Sequence, residues 1–188
     1  MGDGLLQTER LDLRPPVAED IGFVLERMNT PGVMRFLGGE VLPEWKVRES
    51  HASDIAAFAA GEWRRWMIVL RATGERIGRC ALLKLRSEAA PPELQGQPEI
   101  GWALAEPYWG KGYASEAARA VLRFAYETLG LPEVFAQTSD SNQPSTRLMQ
   151  RIGFVARPEL GFHDPEYPPR DNPTTVWSLT QENWHAHG

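Results

Sequence analysis

From Glu99 onward, runs suited to β-structure alternate with runs of helical period, and this order limits the fold more than any other feature of the chain. EIGWAL, Glu99 to Leu104, reads as a strand. In the next stretch, YWGKGYASEAARAVLRFAYETLGL, a helix carries a predicted inward stripe of Ala117, Ala118, Val121, Leu122, Ala125 and Leu129, and Gly130 and Pro132 end it. VFAQT, Val134 to Thr138, is a short strand, and NQPSTRLMQRIGF is a second helix. There Asn142 is the expected cap, Pro144 suits the first turn, Leu148, Met149 and Ile152 face inward, and Gly153 closes the helix. TTVWSL supplies a last strand. Strand–helix–strand order implies at least one parallel pairing, because a parallel connection needs a crossover.

The first half adds antiparallel character. ERLDLRPP alternates at Leu11 and Leu13 and is stopped by Pro15 and Pro16. Ile21, Leu25 and Met28 recur at helical spacing, and a second helix follows Pro43 with Val47, Ile55, Phe58 and Ala59 on one side and Gly61 at its end. WMIVLRATGERIGRCALLKL reads as a hairpin about Thr73-Gly74, which makes the sheet mixed. At 188 residues, with no repeat and no low-complexity linker, the expectation is one domain over 1–188.

Composition mostly excludes. No run approaches the roughly 18 apolar residues of a membrane span, and the N-terminus lacks a basic segment followed by an apolar core, so the expected location is cytoplasmic. A net charge of −5 argues against a nucleic-acid partner and is compatible with a cationic one. Cys80 is the single cysteine, which rules out an internal disulfide and a cysteine-based zinc site; in a strand it reads as a small buried hydrophobe. His51 and His163 have no partner at metal spacing, so no metal is expected.

Gly110 and Gly112 stand at the mouth of the first long helix, where free N–H groups and the positive dipole end favour an anion. A Walker loop fails, since Lys111 is followed by Gly112 and position 105 is Ala. A dinucleotide fingerprint fits poorly, with Ser115 in its last place and the bulky EPYW between strand and glycines. The remaining reading is a backbone cradle from Gly110 through Lys111, Gly112 and Tyr113 to Ala114, although an isolated GxG is more often only a turn.

EIGWALAEPYWGKGYASEAARAVLRFAYETLGL, followed by a strand and SNQPSTRLMQRIGF, resembles the GNAT superfamily of acyl-CoA-dependent N-acetyltransferases. With the opening TERLDLRPPVAEDIGFVLERMNTPGVMRFLG it is similar to the RimJ/RimL-type branch. The resemblance covers nearly the whole chain and is weakest from about Arg157 to Pro173. It implies an α/β GNAT fold, a mixed, strongly twisted sheet of about six to seven strands flanked by helices. It also implies acetyl-CoA as co-substrate and a small-molecule or peptide amine as acceptor, the branch favouring a protein N-terminal α-amine, and it leaves a homodimer open. Gly112 and Ala114 fit the family's phosphate loop, whereas Trp109 stands where Gln or Arg is usual. The same resemblance has the strand before the loop splay at a β-bulge, so that the pantetheine arm pairs with backbone near Trp102 and Leu104.

Roles follow from the same likeness. Glu99 is the expected base, acting directly or through water. Met149 occupies the place of the tyrosine that serves many members as acid, and a thioether donates no proton. Ser145, where the branch carries a serine, is the expected hydrogen-bond donor to the leaving thiolate, and Asn142 both caps its helix and touches the pantetheine. Transfer should be direct, without an acyl-enzyme. Glu159, Asp164, Glu166 and Asp171 in the loop from Arg157 to Pro173 could draw in an ammonium, though a stiff solvated loop is the plainer reading, and Trp45, Trp63 and Trp66 are candidate walls of the acceptor site. The rival from another class is a non-catalytic acyl-CoA-binding module, with a nicotinamide enzyme as a weaker one.

Overall fold

The computed structural model describes residues 4–62 and 65–187. Eight strands form one sheet in the order β1-β2-β3-β4-β5-β6-β8-β7. They are β1 (Leu6–Gln7), β2 (Leu11–Arg14), β3 (Arg65–Leu70), β4 (Arg76–Lys84), β5 (Pro98–Leu104), β6 (Glu133–Ser139), β7 (Val155–Ala156) and β8 (Thr174–Thr180). The strand total exceeds the six to seven expected because β1 and β7 are two-residue edge strands, too short for alternation to reveal. The helices are α1 (Ile21–Phe23), α2 (Pro31–Met34), α3 (Glu44–Ala59), α4 (Tyr113–Arg123), α5 (Gln143–Ile152) and α6 (Gln181–His187).

Helices cover both faces. On one, Ala117, Ala118, Val121 and Leu122 of α4 and Leu148, Met149 and Ile152 of α5 pack on Ile100, Leu104, Val134 and Ala136. On the other, Val24, Met28, Val33 and Val47 from the first three helical segments enclose Met67 and Ala105. A third cluster of Leu85, Leu94, Phe135, Phe162 and Val176 closes the far end of that second face.

The predicted stripe of α4 holds as far as Ala125 and then fails. Leu129 is 44% exposed. The helix widens into a π turn at Phe124–Thr128, with the Leu129 amide bonded to the Phe124 carbonyl, and the extra residue per turn rotates position 129 off the buried face. Trp66 is likewise displaced from its expected role. It is buried in the core between Phe58 and Phe124, its indole N–H donating to the Gly4 carbonyl at 2.7 Å, and Trp45 is 61% exposed. Neither lines the cavity described below, and Trp63 lies outside the described residues.

One seam of the sheet differs from the rest. β5 pairs with β4 over its whole length, from Lys84 opposite Pro98 to Gly78 opposite Leu104, and β6 pairs with β8 equally fully. Between β5 and β6 the register has a single parallel pair, Glu99 opposite Phe135. Beyond it the strands separate toward their C-terminal ends. The expected bulge in β5 is not what parts them, since the β4–β5 register runs unbroken; the register shift in the sheet falls between β3 and β4, where Ile77 is the extra residue opposite Ile68 and Val69.

Candidate functional site

The gap between β5 and β6 opens into a cleft of about 1200 Å³ that reaches both faces of the sheet. Glu99 to Leu104 form one wall and Ala136 to Ser139 the other, and the starts of α4 and α5 close one side. This is the place where ligands usually enter an α/β sheet, outside the carboxyl ends of parallel neighbours.

At the α4 end two glycines precede an uncapped helix start. Gly110 has φ 73° and Gly112, the N-cap, φ 82°, values that glycine adopts without the steric cost of a Cβ. No side chain caps this helix, so its first N–H groups are left for a ligand. Gly110, Gly112, Tyr113, Ala114 and Ser115 line the cleft. Lys111 does not; its ammonium sits over the Tyr108 ring, and its carbonyl accepts from Arg10 at 3.1 Å. Arg10 braces the loop from behind, bonding Glu116 at 2.6 Å and lying over the Tyr113 ring. The Glu116 carboxylate also accepts from the Thr8 hydroxyl, which ties α4 to the start of β2.

Along β5, backbone direction decides what a ligand can meet. The Gln97 carbonyl and the Ala105 amide both bond to β4. In an antiparallel ladder residues of that parity share that edge, so Ile100, Trp102 and Leu104 turn their backbone groups toward the gap. Trp102 has no partner in the β5–β6 register. At Leu104 the carbonyl is taken, because the Trp109 indole N–H folds back and donates to it at 2.7 Å. Trp109 therefore braces the end of β5.

α5 brings two expected residues to the cleft. Asn142 caps the helix through Oδ1, accepting from the Ser145 amide at 3.4 Å, and spends one amide hydrogen on Thr138 Oγ1 at 3.0 Å. Its second amide hydrogen is left over. The Ser145 side chain lines the cleft, and its hydroxyl has no hydrogen bond to a described residue. Met149 is buried in the same wall.

Glu99 is not at a solvent edge. It faces the cleft on the side of the sheet opposite α4 and α5, and Gln137 Nε2 donates to its Oε1 at 2.7 Å. Burial pushes its carboxyl up to about 6, while the Gln137 hydrogen bond pulls the other way. A carboxylate poised there is charged at neutral pH and still able to take a proton. Cys80 offers no competing nucleophile, since burial pushes its thiol up to about 12.

The loop from Arg157 to Pro173 is largely exposed, as expected, but two of its acids are tied down. Asp164 and Asp171 are buried. Asp164 accepts from Ser87 Oγ, and Asp171 pairs with Arg35 at 2.6 Å and accepts from Ser141. Glu159 is held by Arg157 on the surface, whereas Glu166 lines the cleft. Gln137 and Tyr167 line the cleft and were not read from the sequence. Gln137 was within reach, because period-two alternation in VFAQT puts it on the Phe135 side, level with Glu99. Tyr167 sits in an irregular loop with no periodic signal at all.

Among the described residues no helix is long and apolar enough to cross a membrane, and no cluster of His, Cys, Asp and Glu could hold a metal. A model of the acetyltransferase (GNAT) domain matches residues 10–155. The chain is 30% identical to an uncharacterized N-acetyltransferase, p20, of Bacillus licheniformis, over 79% of this chain and 81% of that one. It is also 30% identical to the FsC-acetyl coenzyme A-N(2)-transacetylase of Aspergillus fumigatus, over 95% of this chain and 77% of that one. An acetyltransferase structure from Agrobacterium tumefaciens superposes with a TM-score of 0.76 at 30% identity, covering 94% of both chains.

Proposed function

Because the chain belongs to the GNAT acetyltransferase family and is an acetyl-CoA-dependent N-acetyltransferase, we propose that it transfers the acetyl group directly to a primary amine within the β5–β6 gap, as a member of the RimJ/RimL-type branch. The observation that carries this reading is the single pairing at Glu99 and Phe135, beyond which the gap joins the uncapped start of α4 to a half-buried carboxylate. Acetyl-CoA fits the residues present: the N–H groups from Gly110 to Ala114 suit its pyrophosphate, and the open edge at Trp102 suits its amide-bearing arm. It would supply the activated acyl group.

The chain's own residues divide the proton work. Glu99, ionised above about pH 6, receives the proton lost by the acceptor's nitrogen, directly or through water. Ser145, with an uncommitted hydroxyl, donates to the departing sulfur in place of the tyrosine that Met149 replaces. Trp109, Lys111 and Asn142 shape the site from the loop and from the α5 cap. A nitrogen acceptor accords with the fungal relative, which is named for transfer to an N(2) position. A place in the RimJ/RimL-type branch would favour an N-terminal α-amine among primary amines.

Melting the protein with acetyl-CoA, CoA, NADH and ATP, beside Gly112→Ala, tests the cradle. At a hundred times its dissociation constant a ligand adds about 2.7 kcal/mol, a shift of several degrees. Acetyl-CoA and CoA should shift the wild type, NADH and ATP should not, and Gly112→Ala should lose the shift besides paying about 1–2 kcal/mol for alanine at positive φ. A variant that keeps the full shift would refute the assignment of these glycines.

A further inference from the structure

On the Glu99 side of the gap, a set of hydrogen bonds ties down the loop that sequence periodicity left unread. Asn172 is the tie at its centre. Its Nδ2 donates to the carbonyls of Asp164 and Tyr167, each at 3.0 Å, and its Oδ1 accepts from the Asp164 amide at 2.8 Å. The Tyr167 amide closes the same turn onto the Asp164 carbonyl. The arch is then anchored at three points of the framework: Asp164 to Ser87 beyond β4, Asp171 to Arg35 after α2, and Asp171 to Ser141 beyond β6. Such cross-ties fix the backbone that carries Tyr167, and positioning a reactant requires a fixed support.

What the arch presents is a half-buried tyrosine whose hydroxyl has no hydrogen bond to a described residue. Buried tyrosines ordinarily find a partner, as Tyr126 does by donating to the Leu179 carbonyl at 2.6 Å. Tyr167 lines the same cleft as Glu99. The charges around it come from β5 and from its own loop. Burial first, and then the charges of Glu99, Asp164 and Glu166, raise the phenol above its ordinary value, so it is a neutral hydroxyl throughout the working range. It is not placed to serve the leaving sulfur, because Ser145 and Met149 come from α5, which packs on the other face of the sheet.

We propose that Tyr167 is the acceptor-positioning residue: its hydroxyl oxygen accepts one N–H of the incoming amine while Glu99 receives the proton to be lost. The inference rests on the transferase reading above. A neutral amine, its ammonium proton already lost to solvent, has its lone pair fixed in direction when held at two N–H groups, and the N–H facing Glu99 gives up its proton once the nitrogen has attacked.

The experiment compares wild type, Tyr167→Phe and His163→Ala, the last an exposed residue of the same loop outside the cleft. The probes are spermidine, n-butylamine and a seryl peptide amide, each assayed by CoA release across pH 5–9, with acetyl-CoA binding followed by melting. The expected result is a kcat/KM for amine lowered about ten- to a hundredfold in Tyr167→Phe, as for loss of a hydrogen bond to a charged or charging group. KM for acetyl-CoA, the acetyl-CoA melting shift and the acid limb near pH 6 should persist, and His163→Ala should match wild type. Activity of Tyr167→Phe within twofold of wild type, or a loss confined to acetyl-CoA, would overturn the proposal and leave the transferase reading standing. A wild type that binds acetyl-CoA and acetylates none of the probes would overturn both.

Discussion

Replacing Glu99 with Gln should make the protein slower and more stable at once. Burial raises this carboxyl from 4.5 to about 6 in the fold. An acid that binds its proton more tightly when folded than when unfolded leaves stability undiminished below 4.5, erodes it as pH rises through the window from 4.5 to 6, and holds it lowered above. The shift of about 1.5 units corresponds to about 2 kcal/mol of destabilisation at pH 8. Glutamine has nearly the same shape, carries no charge and can still accept from Gln137, so Glu99→Gln should recover that amount. For a domain of this size the melting temperature should rise by about 4–8 °C at pH 8 and by less than about 1 °C at pH 4. Turnover moves the other way: loss of a general base costs about a hundredfold or more, and the acid limb of the wild-type profile near pH 6 should vanish. Calorimetry at the two pH values and a pH–rate profile on the same preparations settle the matter. A variant that melts lower at pH 8 would mean that Glu99 is stabilised by a charge partner in the fold. A variant that keeps both rate and limb would mean that another group is the base.

The remaining expectations are narrower. Asp20 is fully buried and accepts from Arg14 at 2.6 and 2.8 Å, from Arg76 and from the Val17 amide; against the cost of burial, these partners hold it at about 2. Asp20→Asn should therefore cost about 3–5 kcal/mol in urea melts at pH 7, and the difference from wild type should shrink as pH falls from 3.8 toward 2. Ser145→Ala should lower kcat about tenfold or more with KM for acetyl-CoA nearly unchanged, because the hydroxyl bonds no described residue and acts only as the sulfur departs.

The parts of the fold that obey local rules were legible in the sequence. Asn142 and Gly153 mark the two ends of α5, Gly112 opens α4, and Thr73-Gly74 turns the hairpin. What escaped depends on contacts distant along the chain or on irregular backbone. Leu129 left the buried stripe because a π turn breaks the 3.6-residue period. Trp66 went to the core because the Gly4 carbonyl and two aromatic neighbours receive it there. The Arg10–Glu116 brace joins residues more than a hundred positions apart, and Tyr167 owes its place to Asn172, Arg35 and Ser87 rather than to any pattern of its own.

The single pairing between β5 and β6 also bears on how the molecule holds together. Five strands, β1 to β5, are zipped into one ladder and three, β6 to β8, into another, and the crossover through α4 links them. Sheets are usually stiffest at their centre, and here the centre carries the fewest rungs. A guest that laid an extended backbone into the gap would lock the two ladders into one cooperative unit. The stiffness of this protein would then track the supply of its donor: amide exchange at Trp102 and Leu104 would slow when donor is plentiful and quicken when it is scarce.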